Sequence, residues 1–214
     1  MNAYSLQALS IKKTFGRRLI FSGINFGLNN NGIFGISGPN GSGKSTLAKI
    51  LSGLISTSGG KVIHNYNSKE ILPEKLHNYI GFLSPYLVLY DEFTASENFH
   101  FIAKIRGIPL DKNKIEGLLK QFLLYNRKDD LVKTYSSGMK QRLKFIFALM
   151  HSPNLIILDE PTSNLDEEGK QTVYKIIREE SLNKIVIIAS NEERDLLLCT
   201  DKIILENFKT IERR

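Results

Sequence analysis

The residues with the clearest chemical potential are Gly38-Pro39-Asn40-Gly41-Ser42-Gly43-Lys44-Ser45, a G-x-x-x-x-G-K-S run followed by Thr46. A glycine turn running into a helix N-terminus points several backbone N–H groups and the positive end of the helix dipole at one small volume, which polyphosphate fills. Gly41 and Gly43 allow the close approach that this needs. Lys44 can reach the outer phosphates, and the Ser45 hydroxyl can ligate Mg2+. A second set lies far along the chain, where Leu155-Ile-Ile-Leu158 runs into Asp159-Glu160. A buried strand ending in two carboxylates delivers acid to the C-terminal edge of a sheet, where doubly wound folds bind ligands. Asp159 can anchor the shell of the metal ion. Glu160 points differently and can accept a hydrogen bond from an attacking water. A structural glycine turn and a solvated strand end are the plainer readings, and the pairing of the two motifs counts against both.

The elements that must position these groups are legible as alternating strands and helices. Gly32–Ser37 is apolar and strand-like ahead of the phosphate loop, and Ser45–Leu51 has helical spacing with Leu47, Ile50 and Leu51 on one side. Ser5–Lys13 and Leu19–Leu28 read as antiparallel strands divided by Phe15-Gly16-Arg17-Arg18. Short strands are expected at Lys61–His64 and Tyr79–Leu83. Helices follow at Glu97–Arg106, at Lys112–Leu124 with Asp111 as its cap, and at Met139–Met150. The βα alternation resumes with strands at Leu155–Leu158, Ile185–Ala189 and Lys202–Leu205, and helices at Glu167–Glu180 and Glu192–Leu198. This pattern predicts an α/β fold of one domain. Its nucleotide core with a parallel sheet and an N-terminal antiparallel β subdomain spans 1–84 and 151–214, and a helical lobe is inserted at 85–150.

Composition sets bounds. The 214 residues are 42% hydrophobic and 24% charged, as in ordinary globular proteins, with a formal net charge of +7. The Lys and Arg residues are scattered, with small clusters at Lys12-Lys13, Arg17-Arg18 and Arg213-Arg214. No basic stripe with interleaved aromatics points to nucleic acid. No apolar run approaches the roughly 20 residues of a membrane span, and the start at Met1 lacks the pattern of a secretion signal. The single cysteine, Cys199, fits a reducing compartment and a small apolar role. His64, His77, His100 and His151 show no metal-ligand spacing and read as surface or structural. The chain is expected to be cytoplasmic.

Over essentially its full length the chain resembles the ATP-binding subunit of an ABC transporter, in particular the short cassettes of haem-exporter type. The phosphate loop and Leu155–Glu160 resemble the two Walker motifs. Ser136-Ser137-Gly138-Met-Lys-Gln141 resembles the family signature, with Tyr135 in its leucine position. Ser163-Asn-Leu-Asp166 resembles the D-loop. The resemblance implies an ATPase with ATP and Mg2+ as cofactors: Phe15 stacks on adenine, Lys44 and Glu160 act in hydrolysis, and Ser45 and Asp159 hold the metal. It also implies that two copies face head to tail. Ser136 and the following helix end of one copy, with Ser137, Gly138 and Asp166, then close on the nucleotide held by the other.

Two positions depart from the family pattern. Pro85 stands where a glutamine normally touches the metal shell, and proline has neither a side-chain acceptor nor an N–H. Asn191 stands where a histidine normally contacts the γ-phosphate, and its amide cannot become cationic. These changes predict that ATP binds but turns over slowly or in dependence on a partner. The expected partners are a second ABC ATPase subunit and a separate transmembrane permease, which would dock around residues 84–100 and keep the chain peripheral on the cytoplasmic membrane face. Tyr86, Leu87, Leu89 and Tyr90 there read either as an exposed contact patch or as lobe core. The alternatives are a soluble ABC-type ATPase acting on nucleic acid, ribosomes or an assembly pathway, and an ATP-operated dimerisation switch. A P-loop kinase or GTPase is disfavoured, since Asn183-Lys184-Ile-Val186 lacks the aspartate of a guanine-reading motif.

Overall fold

The computed structural model describes residues 3–209. Met1 and the pair Arg213-Arg214 lie outside them. In chain order the elements are β1 (Tyr4–Phe15), β2 (Arg18–Leu28), β3 (Gly32–Ser37), α1 (Lys44–Leu51), β4 (Gly59–Tyr66), β5 (Lys69–Glu70) and β6 (Ile80–Leu83). They continue with α2 (Ala95–Arg106), α3 (Lys112–Gln121), α4 (Ser137–Leu149), β7 (Leu155–Asp159), α5 (Glu167–Ser181), β8 (Ile185–Ser190), α6 (Glu193–Leu196) and β9 (Asp201–Ile204).

Two sheets result. Strands β2-β1-β4-β5 form an antiparallel sheet, and β6-β7-β8-β3-β9 form a parallel one. Successive side chains of a strand point to opposite faces, and the parallel strands use both. Leu155, Ile157, Ile185 and Ile187 join a core shared with Tyr4, Leu6, Ile11 and Phe21 of the antiparallel sheet and with α1. Ile156, Leu158, Val186 and Ile188 turn the other way, into a core with Phe99, Leu118, Leu143 and Ile177 of the helices. Strands buried on both faces are apolar almost throughout, which explains the unbroken run before Asp159.

The helices α2, α3 and α4 lie in sequence between β6 and β7, which are adjacent in the sheet. A Cβ on Gly81 of β6 would sit 2.1 Å from the Ala148 carbonyl oxygen. Only glycine lets α4 approach the sheet this closely.

Some boundaries differ from those the sequence predicts. α3 stops at Gln121 instead of Leu124, because Leu123 takes a left-handed conformation (φ 57°) and Leu124 N–H bonds back to Leu119. α4 begins at Ser137, two positions earlier than expected, with Ser136 as its cap. The helix expected over Glu192–Leu198 is shortened to Glu193–Leu196, since Leu198 and Cys199 bond to Asp195 and Leu196 in tighter turns. The apolar segment after Pro85 divides: Tyr86 and Val88 are exposed, whereas Leu89 is buried.

Candidate functional site

Phosphate loop, strand-end acids and Asn191 converge at the carboxyl edge of the parallel sheet. The loop leaves β3, Asp159 and Glu160 leave β7, and Ser190-Asn191 leaves β8. Gly43 is required at the start of α1: its φ is 108°, and a Cβ there would lie 2.6 Å from the Ile20 side chain. Such a contact would push the loop off its seat.

Lys44 is almost fully buried. Its Nζ donates to the carbonyls of Gly38 at 2.9 Å and Pro39 at 3.3 Å and lies 3.4 Å from Glu160 Oε1. The ammonium is thus held at the centre of the loop, next to the second strand-end acid. Ser42 is buried, with its N–H on the Pro39 carbonyl, so Gly38, Pro39 and Ser42 form the inner frame of the loop.

The Ser45 hydroxyl donates to Asp159 Oδ1 at 2.9 Å, while Asp159 Oδ2 is buried without a hydrogen-bond partner. Burial holds the Asp159 carboxyl above the usual carboxylate range; the Ser45 bond opposes this and the neighbouring Glu160 adds to it. An unpaired carboxylate oxygen beside a hydroxyl fits a hard divalent cation such as Mg2+. Among the described residues no cluster of three or more His, Cys, Asp or Glu is arranged to hold a metal unaided. Mg2+ here would share its shell with phosphate and water oxygens, as it usually does.

Glu160 has φ 50°, a left-handed conformation unusual for a side-chain-bearing residue and costing on the order of 1 kcal/mol. Its N–H is fixed on the Ala189 carbonyl at 2.8 Å. The turn sends Asp159 toward Ser45 and Glu160 toward Lys44, so adjacent acids face different partners. Ser190 Oγ lies 3.3 Å from Glu160 Oε2.

A cleft of about 800 Å3 opens above these groups. Phe15, Asn40, Gly41, Gly43, Lys44, Ser45, Thr46, Pro85, Glu160 and Asn191 line it, together with Arg18, Ile20 and Tyr86. Phe15 is 53% exposed, and Lys13 Nζ covers one side of its ring at 4.8 Å from the centroid. Asn191 Nδ2 donates to Asn40 Oδ1 of the phosphate loop at 3.3 Å. Lys144 of α4 donates to the Pro85 carbonyl at 2.8 Å.

Gly38, Ser42 and Asp159 are buried beneath this cleft and Pro39 belongs to the same loop, whereas Ser136, Ser137, Gly138 and Asp166 are placed elsewhere. Ser136 caps α4 by accepting from Met139 N–H at 3.2 Å, and Ser137 and Gly138 begin the same helix; Ser137 lines a different, smaller pocket. Asp166 caps α5, accepting from Gly169 N–H at 2.9 Å.

Gln141 of α4, the last residue of the signature-like run, is buried, and its amide donates to the Pro161 carbonyl at 3.2 Å. Other residues, missed in the sequence, complete the surroundings. Thr162, Tyr174, Ser190 and Asp195 form a buried hydroxyl–carboxylate network behind Glu160. The sequence shows only an acid in an otherwise leucine-rich stretch, Asp195-Leu-Leu-Leu198, which does not announce the network.

The sequence profile described as ABC transporter matches residues 21–163. The chain is 35% identical over 207 residues to the linearmycin resistance ATP-binding protein LnrL of Bacillus subtilis, covering 92% of this chain and 65% of LnrL. It thus spans just under two thirds of the length of that relative. It is 36% identical over 214 residues to HrtA of Staphylococcus haemolyticus, named as a hemin import ATP-binding protein, covering 94% of this chain and 96% of HrtA. Its structure resembles a dimeric bacterial ABC transporter cassette with a TM-score of 0.81 at 23% identity, over 93% of each chain.

Proposed function

The chain belongs to the ABC transporter family, whose ATP-binding subunits are ATPases, and on that premise we propose that it hydrolyses ATP to power transport through separate membrane subunits. The observation that carries this reading is the convergence of Lys44, Ser45 and Glu160 on one cleft, with Asp159 buried beneath it and bonded to Ser45.

In this reading adenine lies on the open face of Phe15 and the phosphates enter the loop. Lys44 exchanges its carbonyl partners for phosphate oxygens. Ser45 and Asp159 would hold Mg2+, which when bound supplies charge neutralisation at the phosphates. Glu160 orients a water for attack on the γ-phosphorus. As the new P–O bond forms, the bond to the bridging oxygen breaks and ADP leaves with its electron pair. The proton of the water passes to Glu160 and on to phosphate. Asn191 donates a neutral hydrogen bond near the γ-phosphate.

Ser136, which caps α4, the first helical residues Ser137 and Gly138, and Asp166 act across a pair of copies. The N-terminus of α4 in one subunit supplies N–H donors and dipole to the nucleotide of the other. The dimeric state of the cassette of similar fold supports this arrangement.

A transmembrane subunit would dock against residues 84–100. An apolar groove of about 420 Å3 there is lined by Leu54, Leu76, Leu87, the exposed Val88 and Ile102, and the exposed Tyr86 is near in sequence. Among the described residues no helix is long and apolar enough to cross a membrane, so the membrane path would belong to other chains. The subunit then works at the cytoplasmic membrane face.

The test is Mg2+-dependent phosphate release by the wild type beside Glu160→Gln, together with purification from detergent-solubilised membranes. Loss of release in the variant and stoichiometric co-purification of a polytopic protein are expected. Release that persists in Glu160→Gln, or a chain that never associates with a membrane protein, would refute the reading.

A further inference from the structure

Asp195 is fully buried on α6, and its carboxylate is met by three hydroxyls from three different parts of the chain. Thr162 Oγ1 donates to Oδ1 at 2.9 Å, Tyr174 OH donates to Oδ1 at 2.8 Å, and Ser190 Oγ donates to Oδ2 at 2.8 Å. Burying a carboxylate is costly unless its lone pairs are occupied, so these bonds are strongly held.

Where the donors sit is informative. Thr162 is two residues past Glu160, and Ser190 immediately precedes Asn191. Tyr174 belongs to α5. A single carboxylate therefore fastens both segments that bear on the γ-phosphate end of the cleft to the helix behind them. Glu192 Oε2 is the competing acceptor for Thr162, at 3.5 Å, but Lys170 engages it at 2.8 Å.

The network also decides what Ser190 can offer. A serine hydroxyl carries one proton. The 2.8 Å bond to Asp195 takes it, and the same oxygen accepts from Glu192 N–H at 3.0 Å. The 3.3 Å approach to Glu160 Oε2 is then left without a donor, and that carboxylate oxygen stays open to the hydrogen of a water.

We propose that Asp195 is a positioning residue for ATP hydrolysis: through Thr162 and Ser190 it fixes the segments that carry Glu160 and Asn191, and it keeps the Ser190 hydroxyl proton off Glu160. This rests on Glu160 acting on the attacking water. Asp195 touches neither nucleotide nor water itself, so its effect falls on the turnover number and not on nucleotide affinity.

The experiment measures kcat and KM for MgATP in the full chain carrying Asp195→Asn, Thr162→Val or Thr162→Ser. Rates are referred to binding sites counted with a fluorescent ATP analogue. Asp195→Asn and Thr162→Val are each expected to lower kcat by about tenfold while KM stays within about twofold, because small misplacements of reacting groups act on the transition state. Thr162→Ser keeps the hydroxyl and is expected to restore kcat to within about twofold of wild type. A purely architectural role would lower thermal stability but leave kcat per site unchanged, and that result overturns the proposal. So does a fall in kcat that Thr162→Ser shares with Thr162→Val. Should Asp195→Asn fail to fold, the near-isosteric Thr162 variants decide alone. Glu160→Gln assayed alongside separates the two claims: if it hydrolyses ATP normally, the role of Glu160 fails, whereas a silent Glu160→Gln beside a fully active Thr162→Val sinks only the role of Asp195.

Discussion

Lys44 Nζ lies 3.4 Å from Glu160 Oε1, so the cation proposed for phosphate rests against the acid proposed for water. Each shields the other from an unpaired state in a largely buried place. If the triphosphate draws Lys44 onto its oxygens as proposed, this pair should loosen, which would couple arrival of the nucleotide to release of Glu160.

Glu160→Gln removes the charge while keeping the shape. Phosphate release is expected to fall by about 100-fold or more, the usual worth of a positioned general base. ATP affinity is expected to hold or tighten, since Lys44 no longer has a carboxylate competing for it. Equilibrium binding of a fluorescent analogue and size-exclusion chromatography with Mg2+ check this, the latter by a liganded dimer.

Asn191→His restores a side chain that can carry charge. Charge-assisted hydrogen bonds exceed neutral ones by about 1 kcal/mol, so kcat is expected to rise about fivefold. Steady-state phosphate release measures it. Asn191→Ala should lower the wild-type rate, itself expected to be slow; vigorous wild-type turnover indifferent to this change would contradict the assignment.

Asp159→Asn keeps size and loses charge at a buried position whose Oδ2 has no hydrogen-bond partner. Metal-dependent hydrolysis is expected to collapse, and removing Mg2+ from the wild type should have the same effect. In metal-free buffer at neutral pH the variant is expected to melt at or above the wild-type temperature, because burial disfavours the charged carboxylate. Scanning calorimetry with and without Mg2+ tests both halves.

Stability should fall on the acid side because of His64. This ring is buried against the Tyr4 hydroxyl at 2.7 Å, and burial pushes it from 6.5 down to about 4. Its folded-state value is depressed, so the unfolded chain takes up the proton first. The neutral ring costs nothing above about pH 6.5, and stability is lost progressively as pH drops toward 4, by about 3 kcal/mol. His151 is also lowered to about 4 by burial and adds a similar loss. Denaturant midpoints at pH 7 and pH 4.5 should differ accordingly, and His64→Gln should flatten the difference by roughly half.

What could be read from the chain was what is local. The phosphate loop, the strand ending at Asp159 and the cap at Asp111 are each written in a few consecutive residues, and their order fixed the fold. Asp195 could not be read, because Thr162, Tyr174 and Ser190 meet it from distant places in sequence, and an acid among leucines gives no sign of three hydroxyl partners. The stop at Leu123 rests on a backbone angle that a leucine seldom takes and no pattern announces. The segment after Pro85 mixes exposed Tyr86 with buried Leu89 because it turns over the lobe instead of following one period.

Gln141 gives the molecule a further property. Its amide, rooted in the helix whose tip is proposed to serve a second copy, grips the Pro161 carbonyl just past Glu160. Whatever tugs that tip is felt one bond from the local chemistry. If two copies pair as proposed, filling one station should bias the other, and a plot of rate against ATP should bend into a sigmoid.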